Sequence, residues 1–154
     1  MSGAAENLAA LGLTLPPVTV PVAAYVPAVR TGAYVYVSGQ LPVVDGKLPA
    51  TGKVGDAVSA QAAAGMARTC ALNALAAAAS VAGGLDGIRR IVKVVGFVAS
   101  APGFSGQPQV INGASELLIE VFGEAGRHAR SAIGVAELPL NSPVEVELIA
   151  EVRD

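Results

Sequence analysis

The sequence predicts an α+β fold in which two helices cover one face of a β-sheet. The predicted elements run in the order strands, helix, strand, helix and two final strands. Residues 144–152 alternate strictly between an apolar set and a set that contains three glutamates, which is typical of a strand with one buried face. The chain has 154 residues, of which 53% are hydrophobic and 14% charged, so it forms one folded domain and is not intrinsically disordered.

The N-terminal part contains a short predicted helix over residues 4–11 and then a proline-rich segment. Prolines at 16, 17, 21 and 27 remove backbone donors, so this segment is expected to be extended, with room for an edge strand between the prolines. Residues 33–38 alternate β-branched and aromatic side chains and predict a strand. Asp45 and Gly46 then predict a turn.

The first long helix is predicted over residues 57–82, with Asp56 as its N-cap and Gly83-Gly84 at its end. Alanine covers nearly every face of this helix, so it can lie very close to a sheet. Residues 88–100 are rich in Val and Ile and predict a long strand.

The second long helix is predicted over residues 109–126, because its apolar residues recur on one face with a period of 3.6. Strands are predicted over residues 131–138 and 144–152, separated by a turn over residues 139–143.

Charge and cysteine content exclude several functional classes. Ten basic and twelve acidic side chains give a net charge of −2, without the cationic surface typical of nucleic-acid binding. The single cysteine, Cys70, excludes an internal disulfide and a cysteine-based zinc site, and one histidine disfavours a histidine-rich metal site. The lone thiol and the absence of a recognisable signal peptide favour a cytoplasmic protein. The longest apolar stretch, residues 57–82, is interrupted by polar and charged residues, so no membrane span is expected.

Apolar residues outnumber the charged residues available to cover them, which favours a homo-oligomer. Few residues stand out chemically, since the chain lacks P-loop, G-x-S-x-G and H-E-x-x-H motifs. Arg130 enters a predicted strand beside the small residues Ala132 and Gly134, which leave room for a ligand. The alternative, a surface arginine with its stem packed on the sheet, is favoured by the pattern alone. Glu145 and Glu147 share one strand face, and here too the pattern alone favours a solvated surface.

His128 lies just past a predicted helix end and is interpreted as a surface or helix-terminal residue. Cys70, in mid-helix, is interpreted as a small buried hydrophobe.

Four segments together resemble one family. They are Tyr25-Val26, the sequence SGQLP at 38–42, VKVVGFVAS at 92–100 leading to Asn112, and residues 129–150. The last segment contains Ala129-Arg130-Ser131, a Leu-Pro turn at 138–139 and Val-Glu-Val-Glu at 144–147. The chain therefore resembles the RidA/YjgF family, also called the endoribonuclease L-PSP family, as a divergent subgroup with an N-terminal extension.

The resemblance implies a chorismate-mutase-like fold with an antiparallel-rich sheet and two helices on one face. It also implies a homotrimer that binds small imine or carboxylate ligands in clefts between subunits, with no cofactor. One domain is expected over residues 1–154, as an extension of residues 1–19 and a family core of residues 20–154. The implied enzyme is a deaminase, a hydrolase that converts 2-aminoacrylate-type enamines and imines into 2-keto acids and ammonia.

The resemblance also assigns roles to individual residues. Arg130 would clamp the substrate carboxylate with its planar guanidinium, and Glu145 would position the attacking water. Tyr25 would line the cleft, while Ser38 and Gly39 would contact the substrate.

Asn112 matches the asparagine at the start of the family's second helix. Two positions depart from the family pattern. Ala132 stands where founding members have cysteine, and His128 stands where proline is usual. The loss of the thiol leaves carboxylate clamping and water attack chemically possible.

Three other functions remain open at this point. A non-catalytic trimer that binds small carboxylates is suggested by Ala132 and by the N-terminal extension. Ribonuclease activity, implied by the family's older name, is disfavoured by the net charge of −2 and by the lack of interleaved basic and aromatic residues. Chorismate mutase activity rests on fold analogy alone.

Overall fold

The computed structural model describes residues 2–154. Within them the chain forms three α-helices and a five-stranded sheet, in the following order: α1 (Ala4–Ala10), β1 (Ala28–Thr31), β2 (Tyr34–Gln40), α2 (Ala60–Ala82), β3 (Ile88–Ala99), α3 (Gln107–Phe122), β4 (Ala129–Val135) and β5 (Val144–Val152). Short 3₁₀ turns occupy residues 85–87, 123–126 and 139–141. This architecture confirms the predicted α+β fold class.

The strands lie in the order β1-β2-β5-β3-β4. All neighbouring pairs are antiparallel except β3 and β4, which run parallel because α3 forms the crossover between them. The sheet is therefore mixed but antiparallel-rich, and β4 forms one of its edges.

Both long helices pack on the same face of the sheet, as predicted. Alternate residues of β5, from Val144 to Val152, are buried beneath them, and the intervening residues face the opposite, helix-free side. Glycine allows close packing at two points of this layer. A Cβ on Gly96 of β3 would overlap Ile111 of α3, and a Cβ on Gly113 of α3 would overlap the carbonyl oxygen of Ala64 in α2.

The first long helix begins later than predicted, and Asp56 is not its cap. Ser59 is the N-cap, and its Oγ accepts a hydrogen bond from the backbone N–H of Ala62 at 3.1 Å. Asp56 instead lies in a tight turn, in which the backbone N–H of Val58 donates to the carbonyl of Lys53. The C-terminal end was predicted correctly, since Gly83 adopts φ 76° and ends the helix.

The bounds of α3 and β4 also differ from the predicted ones. The helix α3 begins two residues earlier and ends at Phe122, because Gly123 has φ 61° and starts a 3₁₀ turn. The strand β4 ends at Val135 rather than at residue 138. Val135 pairs with Ala99, the last residue of its parallel partner β3.

The segment between the prolines contains no strand. The strand β1 instead follows the last of these prolines and pairs with β2 through a turn at Gly32, which has φ 56°. The turn predicted at Asp45 and Gly46 is confirmed, with φ angles of 50° and 78°.

Two helical glycines give a matched test of this packing. Gly113→Ala should lower the free energy of unfolding by about 1–3 kcal/mol, because the added methyl group forces α2 and α3 apart. Gly65→Ala should raise it by about 0.5–1 kcal/mol, since open space surrounds that position and alanine is the better helix former. Urea unfolding of both variants checks the pair, and equal effects would contradict the proposed close contact.

Candidate functional site

Arg130 lies on the edge strand β4 and points toward helix α3. In the parallel register it lies beside Val94, whose side chain is fully buried under the helices. Nη1 of Arg130 donates to Oδ1 of Asn112 at 2.7 Å and to Oγ of Ser115 at 3.2 Å. Nη2 donates to the carbonyl oxygen of Pro108 at 3.4 Å. The first half of α3 therefore holds the guanidinium.

The helical repeat explains this arrangement. Asn112 and Ser115 are three residues apart on α3, so their side chains lie on the same face of the helix. The crossover from β3 through α3 to β4 places that face against the start of β4. Ala132, the next residue of β4 on the same side, is half-buried and packs against the core rather than standing free beside the guanidinium.

His128 and Ser115 extend the polar cluster around Arg130. Nε2 of His128 lies 2.9 Å from Oγ of Ser115, and Nδ1 lies 2.6 Å from the carbonyl oxygen of Gly126. Burial lowers the pKa of His128, and the positive charge of Arg130 lowers it further, while the bond to Gly126 acts in the opposite direction. Together with Ile119 and Arg127, these side chains line a cavity of about 210 Å³.

His128 lies just past the 3₁₀ turn that follows α3, as its interpretation as a helix-terminal residue predicts. Its imidazole is half-buried and hydrogen-bonded at both nitrogens. Ser115 escaped sequence analysis altogether, because a helical serine thirteen residues from a histidine carries no local signal.

Glu145 lies on β5 and points to the opposite, helix-free face of the sheet. It pairs in register with Phe97, whereas its neighbours Val144 and Val146 are buried beneath the helices. Burial raises the pKa of Glu145, and the negative charge of Glu147 on the same strand face raises it further. The carboxyl group is thus less readily ionised than an exposed glutamate.

Gly39 provides the space that this carboxylate occupies. A Cβ at Gly39 would overlap Oε1 of Glu145, so only glycine fits there without displacing the glutamate. The register between β2 and β5 shifts between Val37 and Gln40, and this irregularity brings the backbone of Gly39 up to Glu145.

Ser38 anchors the preceding loop to the same region. Its Oγ donates to the carbonyl oxygen of Val26 at 2.7 Å, and its backbone N–H donates to the carbonyl of Pro27 at 2.9 Å. These bonds hold the segment that carries Tyr25, whose side chain is 57% exposed.

The seven residues predicted for the site therefore form two groups. Arg130, Asn112 and Ala132 lie on the helix-covered side of the sheet, whereas Ser38, Gly39 and Glu145 belong to the other group, with Tyr25 nearby. Strand β3 lies between β4 and β5, so Arg130 and Glu145 are two strands apart. They are also offset along the sheet, because they pair with residues three apart on β3, Val94 and Phe97, and they face opposite ways.

Across residues 2–154, no three His, Cys, Asp or Glu side chains are grouped so that they could hold a metal ion. In the same range, no helix combines the length and the apolar character needed to cross a membrane.

Comparison with known proteins identifies related chains. Residues 5–152 match the sequence pattern of a family described as "YjgF/chorismate mutase-like, putative endoribonuclease". The Trypanosoma cruzi protein TCP17 is 42% identical over 151 residues, which cover 97% of this chain and 94% of TCP17.

Two solved structures illustrate the structural likeness. Atu1372 of Agrobacterium tumefaciens, a protein of unknown function, is 48% identical with a TM-score of 0.89, covering 97% of this chain and 92% of its own. TdcF of Escherichia coli with bound serine is 28% identical with a TM-score of 0.63, covering 89% of this chain and 94% of its own.

The raised pKa of Glu145 predicts a pH-dependent change in stability. Folding favours the protonated carboxyl, so the free energy of unfolding falls as the pH rises from the ordinary pKa of a glutamate to the raised pKa of the folded state, and the full loss is present above that pKa. Glu145→Gln should therefore raise the unfolding free energy at neutral pH. This gain should shrink as the pH falls below the raised pKa of the folded state and vanish below the ordinary pKa of a glutamate.

Urea unfolding at several pH values and one fixed protein concentration checks this prediction. Glu116→Gln, at an exposed glutamate of α3, is the matched control and should show a much smaller effect. A gain at Glu145 that did not change with pH would contradict the electrostatic explanation.

Proposed function

The chain belongs to the YjgF/chorismate mutase-like family, and from that premise we propose that it hydrolyses small imines and enamines that carry a carboxylate. In this reaction water adds to the carbon of the C=N bond and the C–N bond then breaks. The products are a 2-keto acid and ammonia. An enamine is first protonated at carbon to give the imine. The electrophilic imine carbon needs only a positioned water and modest proton transfer.

The observation that carries this proposal is the way Arg130 is held. A guanidinium has five N–H donors, and three hydrogen bonds to Asn112, Ser115 and Pro108 fix its plane against α3. In residues 2–154 these three bonds leave Nε–H and one Nη2–H for a ligand. These two groups are neighbours on one edge of the guanidinium and match the two oxygens of a carboxylate.

Glu145 supports the hydrolytic step. Its half-buried position raises the pKa of the carboxyl group, which makes the group a stronger base for accepting a proton that it can later return. As a base it would take a proton from the attacking water. As an acid it would then return that proton to the departing nitrogen. The close fit of Gly39 limits the directions in which this carboxylate can move.

A single copy of the chain cannot bring both groups to one small substrate, because Arg130 and Glu145 face opposite sides of the sheet. We therefore infer that the site forms between two copies. One copy would contribute Arg130 and Asn112, with Ala132 packed beneath them, and the next would contribute Glu145 with its neighbours Tyr25, Ser38 and Gly39.

The two contributing surfaces lie on opposite sides of the sheet, so this interface is heterologous, and a heterologous contact forms a ring when the rotation between successive copies closes. The homotrimer implied by the family resemblance is the ring we propose.

The helix-free face is suited to subunit contact. Val29, Tyr36 and Ile133 expose 51%, 49% and 44% of their surface there, although all three lie on strands. A cavity of about 290 Å³ on this face also includes Val95 and Ile149. Large apolar side chains on one uncovered sheet face are typical of an interaction surface.

The relatives support the ligand class. The structure of TdcF contains bound serine, a small molecule with an amino group beside a carboxylate. An imine of a 2-keto acid has the same arrangement of nitrogen and carboxylate around one carbon, which is the class of substrate proposed here.

Single substitutions test the two roles separately. Arg130→Gln should raise KM about tenfold to a hundredfold, and Arg130→Lys should retain part of the affinity because one point charge remains. Glu145→Gln should lower kcat by about 10²- to 10⁴-fold, since proton transfer is lost. An assay in which an amino-acid oxidase generates the imine measures both constants. Arg130→Gln hydrolysing the imine as fast as wild type, while folded, would overturn the assignment.

Mixing the two variants tests the shared site. If one site uses Arg130 of one copy and Glu145 of the next, oligomers refolded from equal amounts of Arg130→Gln and Glu145→Gln should regain about a quarter of the wild-type sites. A site within one chain would regain none. Wild type mixed with each variant provides the control for exchange of copies.

The same assays separate the alternatives. Saturable binding of a carboxylate without turnover would instead indicate a binding protein, an outcome suggested by Ala132 in place of the family's cysteine. Arg130-dependent cleavage of RNA would support the endoribonuclease description of the family.

A further inference from the structure

A chain of hydrogen bonds leads from Arg130 into the cavity behind it. Oγ of Ser115 accepts from Nη1 of Arg130 at 3.2 Å and lies 2.9 Å from Nε2 of His128. Nδ1 of His128 lies 2.6 Å from the carbonyl oxygen of Gly126. These bonds connect strand β4, helix α3 and the 3₁₀ turn that precedes β4.

Elementary chemistry fixes which atom carries the proton in each of these hydrogen bonds. The carbonyl of Gly126 can only accept, so Nδ1 of His128 carries a proton. In a neutral imidazole Nε2 is then the acceptor, and the hydroxyl of Ser115 donates to it. The hydroxyl proton of Ser115 points away from Arg130 as a result, which leaves its oxygen lone pairs free to accept from the guanidinium.

The surroundings favour the neutral imidazole. Burial and the charge of Arg130 both lower the pKa of His128. The other charged side chain lining the cavity, Arg127, is cationic as well and pairs with Glu124 at 3.0 Å. The residues of α3 that line the cavity, Ser115 and Ile119, do not titrate. On the sheet side, Lys93 of β3 lies opposite Ala129 and adds no negative charge.

We propose that Ser115 and His128 are positioning residues that hold Arg130 in the one orientation able to receive a substrate carboxylate. This inference rests on the proposed function, in which Arg130 binds the substrate carboxylate. The arginine side chain is long and flexible, and fixing it before the ligand arrives reduces the entropy lost on binding. Asn112 fixes one proton of Nη1, and Ser115, itself oriented by His128, fixes the other.

The protein has one histidine, so nitrogen-detected NMR of the imidazole reports on His128 alone. In ligand-free wild type we expect the tautomer with the proton on Nδ1. Ser115→Ala should shift the Nε2 resonance by removing its hydrogen-bond donor. Arg130→Gln should raise the pKa of His128 by removing the neighbouring positive charge. A proton on Nε2 in wild type, or a histidine pKa unaffected by Arg130→Gln, would overturn the proposed linkage without any activity measurement.

Binding of pyruvate, a small 2-keto acid, measures the consequence for Arg130. Ser115→Ala and His128→Ala should each weaken binding about threefold to tenfold, the range expected for one lost hydrogen bond. In the imine assay KM should rise by a similar factor while kcat changes less. Ser115→Thr and His128→Gln should restore affinity, since threonine keeps the hydroxyl and glutamine offers an acceptor.

Ser80→Ala is the matched control, because this serine also lies on a helix, α2, and its hydroxyl donates a hydrogen bond, to the carbonyl oxygen of Ala77, outside the cluster. Circular dichroism establishes that each variant is folded. If Ser115→Ala fails to fold, His128→Ala and the imidazole spectra decide the question.

The outcomes separate this inference from the proposed function. If Arg130→Gln loses pyruvate binding but Ser115→Ala and His128→Ala bind as tightly as wild type, the positioning role is wrong and the carboxylate clamp stands. If Arg130→Gln binds pyruvate as tightly as wild type, the clamp itself is wrong.

Discussion

The close packing of α3 against both α2 and the sheet is the constraint on which the rest of the structure depends. Gly113 allows α3 to reach the backbone of α2 at Ala64, and Gly96 allows Ile111 to descend onto β3. Because α3 lies this close to the sheet, its polar residues Asn112 and Ser115 reach the edge strand β4 and hold Arg130. Packing of small residues in the core thus sets the position of a charged group at the surface.

The pleat of the sheet has an equally direct functional consequence. Successive residues of a strand point to opposite faces, so the face on which Glu145 projects follows from the burial of Val144 and Val146 beneath the helices. Arg130 lies on the other face, because it pairs in register with Val94, which is buried beneath the helices. Under the proposed function, each chain carries two half-sites and assembly is a requirement of catalysis.

Each of the two groups of candidate residues has a titratable side chain nearby whose pKa is shifted by its surroundings. Burial raises the pKa of Glu145, and burial together with Arg130 lowers the pKa of His128. Each shift favours the uncharged form in a partly dehydrated environment. Such shifts are common at functional sites, where a carboxyl group with a raised pKa more readily holds a proton and a neutral imidazole can accept a hydrogen bond.

The sequence by itself determined the fold class, because periods of 2 and 3.6 residues are local properties that survive in any packing. Through its resemblance to a family, the sequence also indicated Arg130 and Glu145 as candidate site residues. It did not indicate the strand β1, which depends on pairing with β2, and it placed the cap of the first long helix at Asp56 rather than Ser59, because both residue types are good N-caps. Only the tertiary structure brought Ser115 and His128 to Arg130, and only it separated Arg130 from Glu145. These relations join residues distant in the chain, and they are fixed by strand register and by the α3 crossover rather than by any local pattern.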